Sequence, residues 1–181
     1  MSVTILSDVI CGRPESEKST TEENVYRFLS ENGLGFQCIE HSPADTIEDC
    51  HEIEKYLDAV ICKNLFLRNS AETKYFLLLM SPDTKFDSKI ISKQIQSSRL
   101  SFASADKMIE ILGVEPGSAS IMCLINDSAS DVSLLIDSRL LENEYFCCHP
   151  CKNTATLKFK TKDIFERFIS ITGHNYTIVN L

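Results

Sequence analysis

Glycine and proline are scarce in this chain, with six and five residues among 181. That is too few for a collagenous, low-complexity or disordered polypeptide. Long apolar runs are missing as well. The longest, Tyr75 to Met80, falls far short of the roughly 20 residues that a membrane-spanning helix needs, and no basic stretch followed by an apolar one opens the chain. Neither a membrane segment nor a secretory leader is expected. Basic side chains are outnumbered by acidic ones, 18 to 26, for a net charge of −8. This excludes a protein that holds nucleic acid by bulk electrostatics, because neutralisation of phosphates by Lys and Arg supplies most non-specific affinity. Internal repeats and interior linkers are absent too.

What is present is the composition of one ordinary globular domain, 43% hydrophobic and 24% charged, long enough to bury about 70% of its unfolded surface. The acid excess is local. Residues 1–60 carry 13 acidic and 4 basic side chains, net −9, and residues 61–181 carry 13 and 14, net +1. Two lysine-rich runs, from Lys85 to Lys107 and from Lys152 to Arg167, are read as solvated faces that leave room for a small basic footprint. Eight cysteines would suit a disulfide framework in a secreted protein. Cys38, Cys62 and Cys123 instead sit inside apolar runs, where free cysteine behaves as a small hydrophobe, so a reducing, cytoplasmic setting is expected.

Residues 1–18 show no clear period and read as an extension ahead of a domain at 19–181. Ser19 with Glu22 forms a capping box, and Val25, Phe28 and Leu29 share one helical face up to Asn32 and Gly33. A strand is expected at 36–40 and an acidic helix at 49–57, followed by a hairpin from strands at 60–68 and 74–80. Helices are expected at 87–95 and 105–112. The apolar runs 120–125 and 132–136, joined by six turn-forming residues, read as a second hairpin. A helical turn at 139–142, strands at 145–148 and 154–159, a helix from Thr161 to Gly173 and a strand at 176–179 complete the pattern. Strands and helices are interspersed without strict alternation, which places the chain in the α/β (α+β) class, with a mixed β-sheet flanked by helices.

The general catalytic signatures are lacking: no phosphate-binding glycine loop, no nucleophile elbow and no His-Glu-x-x-His. Cys147, Cys148, His149 and Cys151 come nearest to a metal site, but a zinc site usually draws a second ligand pair from a distance, and none has paired spacing. No metal or cofactor is expected. His149 next to Cys148 on a strand would point to the opposite face, which disfavours a thiol nucleophile there. What remains is polar residues in apolar surroundings. Lys63 and Asn64 interrupt the run from Val60 to Leu67, where an ammonium is costly unless it meets an anion, a carbonyl or a cleft, or snorkels from a strand edge. Gly117 lies between a helix and an apolar run, where its freedom lets backbone amides approach a ligand or simply makes a turn. His149, Asn153 and Thr154 form a compact polar loop.

Together these stretches resemble a known family. Lys63 to Arg68, Arg99 to Ser104, Leu112 to Ser118, Leu124 to Asp127, and His149 to Thr156, with His41, Ser42, Pro43 and Thr46 ahead of them, are similar in order and spacing to the YbaK and prolyl-tRNA-synthetase-associated editing domains, over about residues 20–181. The free-standing ProX or PrdX branch is the most similar. The resemblance implies a YbaK-type fold and hydrolysis of the ester that joins a wrong amino acid to tRNA for proline, alanine above all, by water attack assisted by the terminal ribose hydroxyl. It also implies aminoacyl-tRNA as partner, with transient contact with prolyl-tRNA synthetase. The competing reading is a non-catalytic or regulatory protein that binds the aminoacylated 3′ end of tRNA. By resemblance Lys63, Gly117 and His149 are the catalytic positions, and Thr46, Asn64, Ser118, Ile121, Asn153 and Thr154 bind substrate. One departure stands out: where relatives have proline beyond the glycine loop this chain has Ile121, followed by Met122 and Cys123, so Ile121 is expected to alter the pocket.

Overall fold

The computed structural model describes residues 3–181 and consists of two sheets with helices against them. The first sheet has four strands, β1 (Ile10–Cys11), β2 (Gln37–Glu40), β7 (Tyr145–Cys148) and β8 (Ala155–Lys160), in the order β1-β2-β8-β7, all antiparallel. The second has five: β3 (Lys63–Arg68), β4 (Tyr75–Met80), β5 (Ser101–Phe102), β6 (Val132–Asp137) and β9 (Tyr176–Val179), in the order β5-β3-β4-β6-β9. Its β5-β3-β4 half is antiparallel, whereas β4, β6 and β9 run parallel. A parallel bridge between Ile61 and Cys147 joins the two sheets.

Alternation along the strands sets up three cores. Phe66, Leu77, Leu79, Leu134 and Ile136 of the second sheet face Cys38, Phe146, Cys148, Leu157 and Phe159 of the first across the main core, which α1 (Thr20–Glu31) closes with Val25 and Leu29. On the far side of the second sheet Leu65, Leu67, Leu78 and Met80 pack on Ile91 of α3 (Ser88–Gln94). On the far side of the first, Ile39 and Cys147 pack on Ile53 and Leu57 of α2 (Ile47–Leu57). Being covered on both faces explains why β4 is a continuous apolar run with no polar alternation.

The expected elements are found with two exceptions. Residues 121–126 are not a strand. Ile121–Asn126 is a 3-10 helix capped by Ser120, whose Oγ accepts from the Met122 N–H at 3.3 Å. Ile121, Met122, Cys123 and Leu124 are all buried at 1% exposure or less, and a short apolar run enclosed on all sides carries no period that tells strand from helix. The expected second hairpin is therefore a turn in a crossover: the Asp127 carboxylate accepts from the Asp131 and Val132 N–H groups and launches β6 parallel to β4. The second exception concerns the N-terminal segment, which is built into the sheet. Ile10 and Cys11 pair with β2, Ile5 bridges His41, and Val3, Ile5 and Val9 pack on the α2 core. Two-residue pairing of this kind is too short to leave a period in the sequence.

Candidate active site

β5 covers only the C-terminal half of one edge of β3, pairing with Leu67 and Arg68. Farther up that edge β7 reaches only Cys62, whose N–H donates to the Cys147 carbonyl at 3.1 Å. Between the two lies a cavity of about 380 Å³, within the size range of small-molecule sites. Its floor is apolar, from Ile61, Leu65, Phe66 and Ala119, all buried, and the exposed Phe102 stands at its rim.

Three of its polar groups come from three separate elements. Lys63 opens β3, half-buried, and its ammonium forms no ion pair among the described residues. Gly117 holds φ +87 in a tight turn closed by the Ser118 N–H on the Glu115 carbonyl at 3.0 Å. That left-handed backbone favours glycine, and no Cβ projects from it into the cavity. His149 follows β7. Its Nδ1 is buried without a hydrogen-bond partner, and burial, with His41 nearby, pulls its pKa down to about 4. The ring is thus neutral at physiological pH, able to donate and accept at once.

The other expected residues divide. Thr46, Asn64 and Asn153 line the cavity. The Thr46 hydroxyl donates to Asp49 Oδ2 at 2.8 Å and accepts from the Asp49 N–H at 3.1 Å, the capping box that starts α2. The Asn64 amide donates to the Cys62 carbonyl at 3.2 Å, and the Asn153 amide to Asp45 Oδ1 at 2.9 Å. Ser118 and Thr154 lie behind the lining: one shapes the glycine turn, the other accepts the His41 N–H on its carbonyl at 3.0 Å. Ile121 is fully buried in the main core and does not line the cavity. It occupies the first position of the 3-10 helix, where a residue needs no partner for its N–H, so proline and isoleucine both suit the backbone.

The sequence reading missed Ser120 as a site residue, having placed it at the start of a strand. Its fully buried hydroxyl donates to the His149 carbonyl at 2.7 Å and fastens the histidine loop to the segment after Gly117. His41, buried at 1% exposure, donates from Nδ1 to the Ser42 carbonyl at 2.8 Å and accepts at Nε2 from the Thr156 hydroxyl at 2.9 Å, which anchors the start of the Asp45–Thr46 rim to β8. The cysteines beside His149 point apart. Cys147 faces the α2 core, and Cys148 and Cys151 face the main core, where Cys151 Sγ lies 3.3 Å from Cys123 Sγ. Burial pushes the Cys147 thiol up to about 12 and the Cys148 thiol well above its ordinary value.

A family model, the aminoacyl-tRNA editing domain, matches residues 41–166. The chain belongs to that family. It is similar to the prolyl-tRNA editing protein ProX of Acetoanaerobium sticklandii, 31% identical over 160 residues, covering 88% of this chain and 97% of that protein. It is also similar to the prolyl-tRNA synthetase associated domain-containing protein 1 of Mus musculus, 32% identical over 148 residues, 80% of this chain and 86% of that protein. A solved structure described as a candidate trans-editing enzyme for prolyl tRNA synthetase superposes with a TM-score of 0.68 over 91% of this chain and 99% of the other, at 18% identity, and supports the fold. In this editing-domain chain the family segment begins at His41 and so takes in all nine residues singled out from the sequence. No helix among the described residues is long and apolar enough to cross a membrane.

Proposed function

We propose that this protein is an aminoacyl-tRNA deacylase that acts in the cytoplasm in trans to prolyl-tRNA synthetase, hydrolysing the ester of a small amino acid, alanine first, wrongly attached to tRNA for proline. The observation that carries the reading is the convergence of Lys63, Gly117 and His149, from β3, the glycine turn and the end of β7, on one cavity, in a chain similar to ProX.

The chemistry suits these groups. An aminoacyl ester is already activated, so hydrolysis requires a positioned water and donors aimed at the developing oxyanion, and no protein nucleophile. In this reading the backbone amides around Gly117 face the oxyanion, and the unpaired Lys63 ammonium holds the ester or the terminal phosphate. Neutral His149 bonds the terminal nucleotide, whose ribose hydroxyl assists the water. Asn64, Asn153 and Thr46 frame the substrate, and Ser118 and Thr154 hold the two loops. A synthetase pocket for proline discriminates poorly against alanine, since a missing methylene contributes only about 1–3 kcal/mol, and a second site that admits small side chains removes the error.

The test is a deacylation panel with alanyl-, seryl-, cysteinyl- and prolyl-tRNA for proline. Alanyl-tRNA is expected to react fastest and prolyl-tRNA to be spared. Faster hydrolysis of prolyl-tRNA would sink the proofreading reading, because the enzyme would then destroy the correct product.

A further inference from the structure

One stretch of main chain in the cavity is left without a partner. In an antiparallel pair successive residues turn their N–H and C=O groups to opposite edges of the strand. The Ala103 N–H donates to the Phe66 carbonyl at 3.0 Å and the Cys62 N–H to the Cys147 carbonyl at 3.1 Å, so residues 62, 64, 66 and 68 turn their backbone to this edge, while 63, 65 and 67 turn to β4. The Cys62 carbonyl is taken by the Asn64 amide. The ladder with β5 ends at Leu67 opposite Phe102. Among the described residues no backbone group then reaches the N–H or C=O of Asn64, or the N–H of Phe66, on this edge. Both residues line the cavity, and Phe66 is only 4% exposed. Main-chain donors and acceptors that face a cavity without a protein partner are free to bond a ligand.

We propose that this bare edge reads the amino-acid part of the substrate, the Asn64 carbonyl accepting from a free α-ammonium and the Phe66 N–H joining the amides around Gly117 as a donor to the ester carbonyl. An aminoacyl ester carries the same N–Cα–C=O order as a chain residue. A residue that adds in parallel places its N–H on the carbonyl of residue i and its carbonyl on the N–H of residue i+2 of the neighbouring edge, which is strand addition reduced to one residue. Cys147, in its parallel bridge, already sets its carbonyl on the Cys62 N–H in this manner. The substrate takes the next vacant place along the same strand. The inference rests on the deacylase reading and assigns the contacts to the substrate's amino and carbonyl groups to the main chain of β3 at Asn64 and Phe66.

The experiment compares alanyl-tRNA with lactyl-tRNA, in which a hydroxyl replaces the α-ammonium, and with N-acetylalanyl-tRNA, each rate being divided by that ester's uncatalysed hydrolysis. Loss of a charge-assisted hydrogen bond predicts kcat/KM reduced about 10- to 100-fold for lactyl-tRNA, and a similar or larger loss for the acetylated ester. Equal corrected rates for all three, with alanyl-tRNA still hydrolysed, overturn the inference and leave the deacylase reading standing. No hydrolysis of any ester overturns both. A second readout needs no turnover. In protein labelled with 15N-phenylalanine, titration with 3′-deoxy-3′-alanylamidoadenosine should shift the Phe66 amide resonance. Binding that leaves this resonance in place while others move also overturns the proposal.

Discussion

Ser120 Oγ donates to the carbonyl of His149 at 2.7 Å while accepting the Met122 N–H at 3.3 Å, so one buried hydroxyl both caps the 3-10 helix and fixes the histidine loop. Ser120→Ala strips the cap and leaves a buried carbonyl unpaired, a change expected to lower stability by about 1–3 kcal/mol. It should also slow deacylation of alanyl-tRNA under conditions where the variant is fully folded. Ser120→Thr keeps the hydroxyl and is expected to retain most of the rate. Chemical denaturation beside steady-state kinetics checks both; an alanine variant with wild-type kinetics would remove Ser120 from the site.

Lys63→Ala is expected to leave the fold intact and reduce kcat/KM for alanyl-tRNA at least 100-fold, the scale of losing one positioned donor in a water-poor site. The ammonium has no ion pair or side-chain hydrogen bond among the described residues, so its removal breaks no internal polar contact. A melting curve run beside the rate assay decides: a large fall in melting temperature with an unchanged rate would make Lys63 a structural residue.

Ile121→Val removes one methylene from a fully buried core side chain and should cost about 0.5–1.5 kcal/mol. Because the side chain lies outside the cavity lining, the ratio of alanyl- to seryl-tRNA hydrolysis is expected to stay at its wild-type value. A changed ratio would bring Ile121 back as a determinant of specificity, as the comparison with relatives had suggested.

His149 has its pKa lowered from the ordinary 6.5 to about 4 by burial, and His41 is lowered for the same first cause. Below pH 6.5 the unfolded chain therefore binds protons that the folded chain refuses. The stability tied to these two rings is complete above pH 6.5 and is lost progressively as pH falls toward 4. Urea midpoints measured between pH 7 and pH 4 should fall in the wild type and fall less steeply in His149→Gln. Parallel profiles would show that this ring does not titrate out of register with the unfolded chain.

Much of this is legible in the amino-acid sequence. Ser19 and Glu22 announced the start of α1 through the pattern of a capping box, and the structure has both of its hydrogen bonds. Thr46 and Asp49 form the same device and start α2 at Ile47, two residues earlier than periodicity suggested. Lys63 stood out because a charge interrupts an apolar run, and it does face a cavity. The run 121–124 misled because it is apolar in every direction. The division of nine strands into two sheets depends on pairings such as β2 with β8, which bring together segments more than a hundred residues apart, and no local pattern encodes them. Ser120 escaped notice for a related reason: its partner is a main-chain carbonyl, and main-chain groups leave no signature in a sequence.

The single bridge from Ile61 to Cys147 also has a bearing on how the molecule comes apart. The cavity straddles this seam, with Lys63 and Asn64 on one sheet and His149 just beyond the strand that ends the other. The main core holds the sheets face to face, but among the described residues main-chain bonding at this seam is confined to that bridge, so local fraying here loosens the site while each sheet keeps its own ladders. Catalytic competence is then a property of the docked pair of sheets, expected to disappear at lower urea than the far-ultraviolet circular dichroism signal, and to return last on refolding.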